Sequence, residues 1–213
     1  FRDYLPTWLQ QYPDLYVNLD GELQEEIEFR DATVRLMTLA MMIIYALMAV
    51  AFRSYWQPML ILTAVPFGLM GAIFGHMILG WQVSLFSIMG VTACAGVVVN
   101  DNLVLIDRIN RLRGEGQEVV SALLQAGEDR FRPIILTSLT TFVGLLPIMS
   151  ETSVQAQFLI PMVTSLSFGV LFATGVTLIL VPALYLIAED LSAFKSRFLA
   201  RYQRHQGETP SPS

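Results

Sequence analysis

Asp101 is a carboxylate inside an otherwise apolar run, 83–106, that reads VSLFSIMGVTACAGVVVNDNLVLI, with Asn100 and Asn102 on either side of it. A helix needs ~20 residues to cross a bilayer, and this run is long enough. An ionisable group at that depth costs about 2.5–3.5 kcal/mol on insertion scales, so it usually faces a protein interior and usually works. A carboxylate there can take up and release a proton, and flanking amides can hold it by hydrogen bonds. A blander reading is also open. Asp101 lies five residues before Ile106, ~8 Å of helix rise, so its side chain could simply reach the inner interface. Asn100 could likewise do no more than bond two helices together.

The elements that must position this group follow from composition. The chain of 213 residues is 54% hydrophobic and only 15% charged, against ~25% charged in soluble domains. The apolar residues gather into five blocks, which predicts an all-α polytopic membrane bundle with spans at about 33–53, 57–79, 83–107, 132–150 and 158–188 within residues 33–190. The first and fourth blocks are short, and their helices extend through Arg35 and Arg132 by snorkelling. Trp56 and Trp81 read as anchors at opposite interfaces, and His76 as a polar interface residue. Cys94 has no partner, so no disulfide forms within the chain. No catalytic triad, metal cluster or phosphate loop is present, which argues against an enzyme, a resident metal or a cofactor. Nothing calls for a nucleic-acid partner.

Residues 1–32 are polar and acidic. Leu15, Val17 and Leu19 alternate like a strand, Asp20-Gly21 is a turn signal, and a helical pattern begins at Glu22. One strand and a helix start cannot bury a core, and Phe1 stands where an initiator Met would. The expectation is a fragment that begins at the end of a larger soluble domain. Arginine placement sets the orientation. Arg53 lies between spans one and two, five arginines lie in the connection 108–131 and at its edge, and Lys195, Arg197, Arg201 and Arg204 follow span five. The positive-inside rule then places the N-terminus outside and the C-terminus in the cytoplasm.

The connection 108–131 carries its own pattern. After Gly114 and Gly116, Val119, Val120, Leu123 and Leu124 form an apolar stripe against Glu118, Gln125 and Glu128. This predicts an amphipathic helix over 118–127, lying on the inner membrane face or packed under the bundle. The tail, 191–213, repeats the theme with Leu191, Phe194 and Phe198 among basic residues, a pattern for anionic lipid or for a solvated charge cluster. Its end, GETPSPS, is disordered by composition. Small residues mark candidate helix contacts: Gly71 and Gly75 as GxxxG in span two, Gly96 before Asp101, and Gly169 between Ser165 and Ala173 in span five.

Three strings in order, GVVVNDNLVLIDRIN, RFRPIILTSLTTFVGLLPI and LILVPALYLI, together with FRSYWQPMLILTAVPFGLMGAIFGH, resemble the C-terminal membrane half of resistance-nodulation-division transporters, and most closely the hydrophobe/amphiphile efflux branch. The resemblance covers about residues 15–190. It implies a proton-driven exporter of drugs or other amphiphiles in the bacterial inner membrane, built as a homotrimer that works with a periplasmic adaptor protein and an outer-membrane channel. This chain would hold the last five membrane helices and the remnant of an α+β periplasmic porter domain, and its partner would be the N-terminal half of the same permease. By the same resemblance, the family's essential aspartate pair sits in the first membrane half, which this chain does not hold, Asn100 and Asp101 occupy the equivalent positions in the second repeat, Thr137 matches the relay threonine and Arg130 the arginine on the cytoplasmic proton path. Drug-pump members carry a lysine where this chain has Asn100 and an asparagine where it has Asp101. The lysine–aspartate switch therefore cannot operate here in that form, and Asp101 is the candidate titratable group with Asn100 as its neutral partner. Thr137 could instead only back-bond to its own helix, and Arg130 could be a topogenic charge.

Other function classes are a non-transporting sensor or scaffold built on a related bundle, and a protein-export helper of the same superfamily. A scaffold has no use for a membrane carboxylate. The cytoplasmic amphipathic pattern and the efflux-type strings weigh against the export helper.

Overall fold

The computed structural model describes residues 21–206, with side chains described for 24–25 and 27–191. The strand-like alternation at 15–19, the side chains of the tail stripe beyond Leu191 and the segment GETPSPS lie outside the described residues. Those described residues are helical apart from turns and contain no strand. Five of their helical stretches are long and apolar enough to cross a membrane.

The chain divides into two units, Phe1–Met41 and Met42–Ser213. Helix α1 (Gly21–Phe52) begins in the first and ends in the second. In the first unit it is an exposed helix with local polar contacts: Gln24 Nε2 donates to Glu28, Arg30 pairs with Asp31, and Thr38 Oγ1 donates to the Val34 carbonyl. Such solvent-exposed pairs add little stability.

In the second unit, the end of α1 leads through Arg53, at φ 51°, into α2 (Trp56–Leu62) and α3 (Val65–Leu79). The sequence predicts one span here, and the helix breaks inside it. Pro66 has no N–H to give the Leu62 carbonyl and its ring crowds that group, so the regular ladder stops at Leu62 and restarts with Pro66 in the first turn of α3. Gly80 ends α3 in the left-handed conformation, φ 71°, which a glycine adopts without a Cβ penalty.

Helices α4 (Leu85–Gly114) and α5 (Val119–Met149) are longer than the apolar blocks suggest. The expected connection 108–131 contracts to 115–118, and the expected amphipathic helix is continuous with the fourth span. The cause is a core that extends past the block ends. Ile109 and Leu112 of α4 are buried in one cluster with Ala122, Leu123 and Ala126 of α5. Arg108 Nη2 also lies 2.6 Å from Asp129 Oδ2. Helix α6 (Val154–Gln206) is the hub, packing on α3, α4 and α5. A second cluster of Ala64, Cys94, Val98, Val170 and Ala173 fills the middle of the bundle.

The hub is packed closely because glycines remove side chains at the crossings. A Cβ on Gly71 would lie 2.6 Å from the Phe168 carbonyl oxygen, and one on Gly75 2.6 Å from the Phe168 side chain. On the other side, a Cβ on Gly169 would lie 2.7 Å from Cys94 Sγ and 2.9 Å from the Gly68 carbonyl. Close backbone approach of this kind is what holds helices together in lipid, where the hydrophobic effect gives no drive between them.

Candidate functional site

Helix α4 carries Asp101 on the flank of its buried face. The buried residues Val98, Asn102, Leu105 and Ile109 recur at helical spacing, and Asp101 lies beside that stripe. Its side chain is half-buried, and Oδ2 is buried without a hydrogen-bond partner among the described residues. Each residue turns the helix by ~100°, so the three consecutive polar residues do not form one knot. Asn102 points into the core, where its Nδ2 donates to the Val98 carbonyl at 2.9 Å. Asn100 is on the exposed side, in line with Gly96, where an added Cβ would meet nothing within 4 Å. The run of letters could not separate these roles; the helical period does.

Helix α5 carries the other two candidates. Thr137 is exposed, and its Oγ1 donates to the Pro133 carbonyl at 2.8 Å. Arg130 is half-buried, with a buried Nε that has no hydrogen-bond partner among the described residues. The cross-helix hydroxyl contact belongs to the next residue: Ser138 Oγ and Thr174 Oγ1, both buried, are 2.7 Å apart and tie α5 to α6. One step along a helix turns a side chain by ~100°, and the sequence reading, which considered Thr137 alone, did not find Ser138.

Polar contacts that the sequence reading missed or misplaced lie at both ends of the bundle. At the Arg-rich end, Gln57 of α2 and Asn110 of α4 exchange two hydrogen bonds, 2.9 and 2.8 Å, and Tyr185 Oη of α6 donates to Asn110 Oδ1 at 3.2 Å. Arg113 pairs with Glu189 at 2.9 Å across α4 and α6, and Arg108 with Asp129 across α4 and α5. In the sequence Gln57, Asn110 and Tyr185 show only as polar positions in or near the ends of the second, third and fifth apolar blocks. At the opposite end, His76 is buried rather than interfacial. Its Nδ1 lies 2.9 Å from the Ala72 carbonyl, which can only accept, so Nδ1 carries the proton. In the neutral ring Nε2 therefore accepts from Ser87 Oγ at 2.8 Å, and Ser87 Oγ accepts from the Ser84 N–H at 3.0 Å.

The arrangement can hold a proton-exchanging carboxylate on one flank of a glycine-packed bundle whose polar clamps lie at its two ends. The chain is 30% identical over 191 residues to the cobalt-zinc-cadmium resistance protein CzcA of Cupriavidus metallidurans, covering 86% of this chain and 18% of that protein. It is equally similar to the cation efflux system protein CzcA of an Alcaligenes species. The fold matches the crystal structure of a heavy metal efflux pump with a TM-score of 0.68 at 24% identity, over 89% of this chain and 20% of that one. The chain thus spans about a fifth of the length of these relatives. Five of the described helical stretches are long and apolar enough to cross a membrane, the sequence profile of the AcrB/AcrD/AcrF family matches residues 8–189, and the chain belongs to this family of resistance-nodulation-division permeases.

Proposed function

We propose that this chain is the proton-coupling C-terminal membrane segment of an export permease, with Asp101 as the group that loads and unloads the proton. The observation that carries the reading is the Oδ2 of Asp101, buried within an apolar helix with no hydrogen-bond partner among the described residues. A carboxylate held in low dielectric without a fixed partner is an expensive feature for a passive bundle. Asn100 and Gly96 on the open side of α4 call for protein rather than lipid against them, because an amide facing hydrocarbon is costly. The N-terminal half of the permease is the partner that fits. Arg130, with its own unpartnered Nε, is the candidate charge at the entry end, and Thr137 a candidate relay once it releases the Pro133 carbonyl. The reading carries with it an inner-membrane homotrimer, an adaptor protein and an outer-membrane channel, with the Arg-rich end in the cytoplasm.

The cargo reading divides. The motif strings support amphiphiles, whereas the relatives named for cobalt, zinc and cadmium favour divalent transition-metal ions. A tolerance assay separates the two. The full-length permease, expressed in a strain lacking its own exporters, is challenged with cobalt, zinc and cadmium salts in one arm and with cationic and neutral amphiphiles in the other. Protection in one arm, lost in Asp101→Asn at equal abundance, identifies the cargo class and supports the coupling role. Protection in neither arm contradicts the export function.

A further inference from the structure

Thr92, Thr137, Thr140 and Thr141 each donate a hydroxyl to the carbonyl four residues earlier, the common habit of such residues in membrane helices. Ser165 of α6 does not. It is fully buried, and its Oγ has no hydrogen-bond partner among the described residues. A buried hydroxyl left unbonded is costly, so in native proteins it finds a partner in protein or in water. Ser165 lines a cavity of about 120 Å³ between α3, α4 and α6, at the end of the bundle opposite the arginines. His76 and Ser87 line it too, and the other lining residues are aliphatic. Gly90 lets α6 come in beside them: an added Cβ there would lie 2.8 Å from Ser165 Cβ. Gly90 is one helical turn past Ser87, so Ser165 packs against the turn that Ser87 begins. A purely aliphatic cavity of about this size stays dry. Three polar side chains change that balance, and the volume holds a few waters at roughly 30 Å³ each.

We propose that this cavity binds internal water, which bridges Ser165 of α6 to the Ser87–His76 pair of α4 and α3. The hydrogen bonds already made say how the water sits. Ser87 Oγ donates to His76 Nε2 and accepts from the Ser84 N–H, which leaves one of its two lone pairs. Ser165 Oγ has its O–H to give. A water that accepts from Ser165 and donates to Ser87 satisfies both hydroxyls, and two partners are enough to hold it. No titratable side chain other than His76 lines the cavity, so no charge competes for the water. Three helices are then joined through one bridging water, whereas α5 and α6 meet by the direct contact of Ser138 and Thr174. Such a bridge is nearly as favourable as a direct bond. Ser87 lies ~21 Å of helix rise from Asp101 along α4, so the site does not rest on the coupling role of that carboxylate or on the cargo.

The test is a cryo-electron microscopy map of the full-length permease in lipid nanodiscs, at a resolution that shows buried waters elsewhere in the protein. The proposal expects a compact peak within hydrogen-bond distance of both Ser165 Oγ and Ser87 Oγ, and no peak there in Ser165→Ala. Ser167→Ala is the control. It removes another buried α6 hydroxyl without a partner among the described residues, but one that does not line the cavity, and should keep the peak. Water-edited solid-state NMR of the permease in bilayers, with 15N-labelled histidine, gives a second readout. The His76 ring, identified by its loss in His76→Gln, should draw polarisation from water at least about twofold faster in the native protein than in Ser165→Ala, because the bridging water is lost. No peak in the native map overturns the proposal, and so does an elongated density of a lipid or detergent chain in its place. A peak that persists in Ser165→Ala, a peak lost equally in Ser167→Ala, or equal transfer rates in the native protein and Ser165→Ala also overturns it.

Discussion

Single hydrogen bonds decide which polar residues are structural. His76 reads in sequence as an interface residue near the end of an apolar block, because a lone histidine there gives no sign of its partners. In the structure it is buried and both ring nitrogens are used, one on the Ala72 carbonyl and one on Ser87. Ser87 is also the N3 residue of the box that caps α4. Removing its hydroxyl would leave Nε2 of His76 buried without a donor. A buried polar atom stranded in this way costs about 1–3 kcal/mol. Ser87→Ala in the full-length permease should therefore lower its thermal midpoint in detergent by several degrees, and Ser84→Ala by less. Equal midpoints for Ser87→Ala and the native protein would contradict this account of the cap. The same limit on sequence reading applies to Asn100 and Asn102, neighbours in the chain on different faces of one helix.

At the scale of elements, the apolar blocks located the spans, while the helix ends depended on contacts that no block reveals. The residues Val119, Val120, Leu123 and Leu124 look like one stripe in sequence. The structure divides it: Leu123 is 7% exposed and packed with the core, whereas Leu124 is 67% exposed and Val120 is also exposed. Helix α5 starts there because Ala122, Leu123 and Ala126 extend the core around Ile109 and Leu112, a long-range fact invisible to local periodicity. Leu123→Asp would bury an unpaired carboxylate and should sharply reduce the amount of folded permease in membranes. Leu124→Asp should leave it near the native amount unless another part of the permease covers that face. Quantitative immunoblotting of membrane fractions checks both. Similar loss in the two variants would show that this chain alone does not determine the surroundings of α5.

For the whole molecule, the bundle is built around α6, and one side of α4 and α5 is left with Asn100, Gly96 and Thr137 uncovered by the described chain. The family and the five spans were legible from ordered strings and apolar blocks. The branch was less so: the strings resemble the amphiphile exporters, while relatives at 30% identity carry names for metal ions, because membrane helices shared by all branches say little about cargo. The open side of the bundle leads to the expectation that this segment, expressed alone in an exporter-deficient strain, confers no tolerance to metals or amphiphiles. Tolerance from the segment alone would show that its open face needs no partner. The central claim concerns Asp101, and proteoliposomes holding the full-length permease test it most directly. An imposed pH gradient drives cargo movement while a trapped dye reports proton flux. Asp101→Asn keeps the shape and an amide's hydrogen bonding but cannot exchange a proton, so coupled proton flux and cargo transport should both fall at least about tenfold, with assembly intact. Transport by Asp101→Asn at the native rate, with the native proton flux, would contradict the account and place coupling wholly outside this chain.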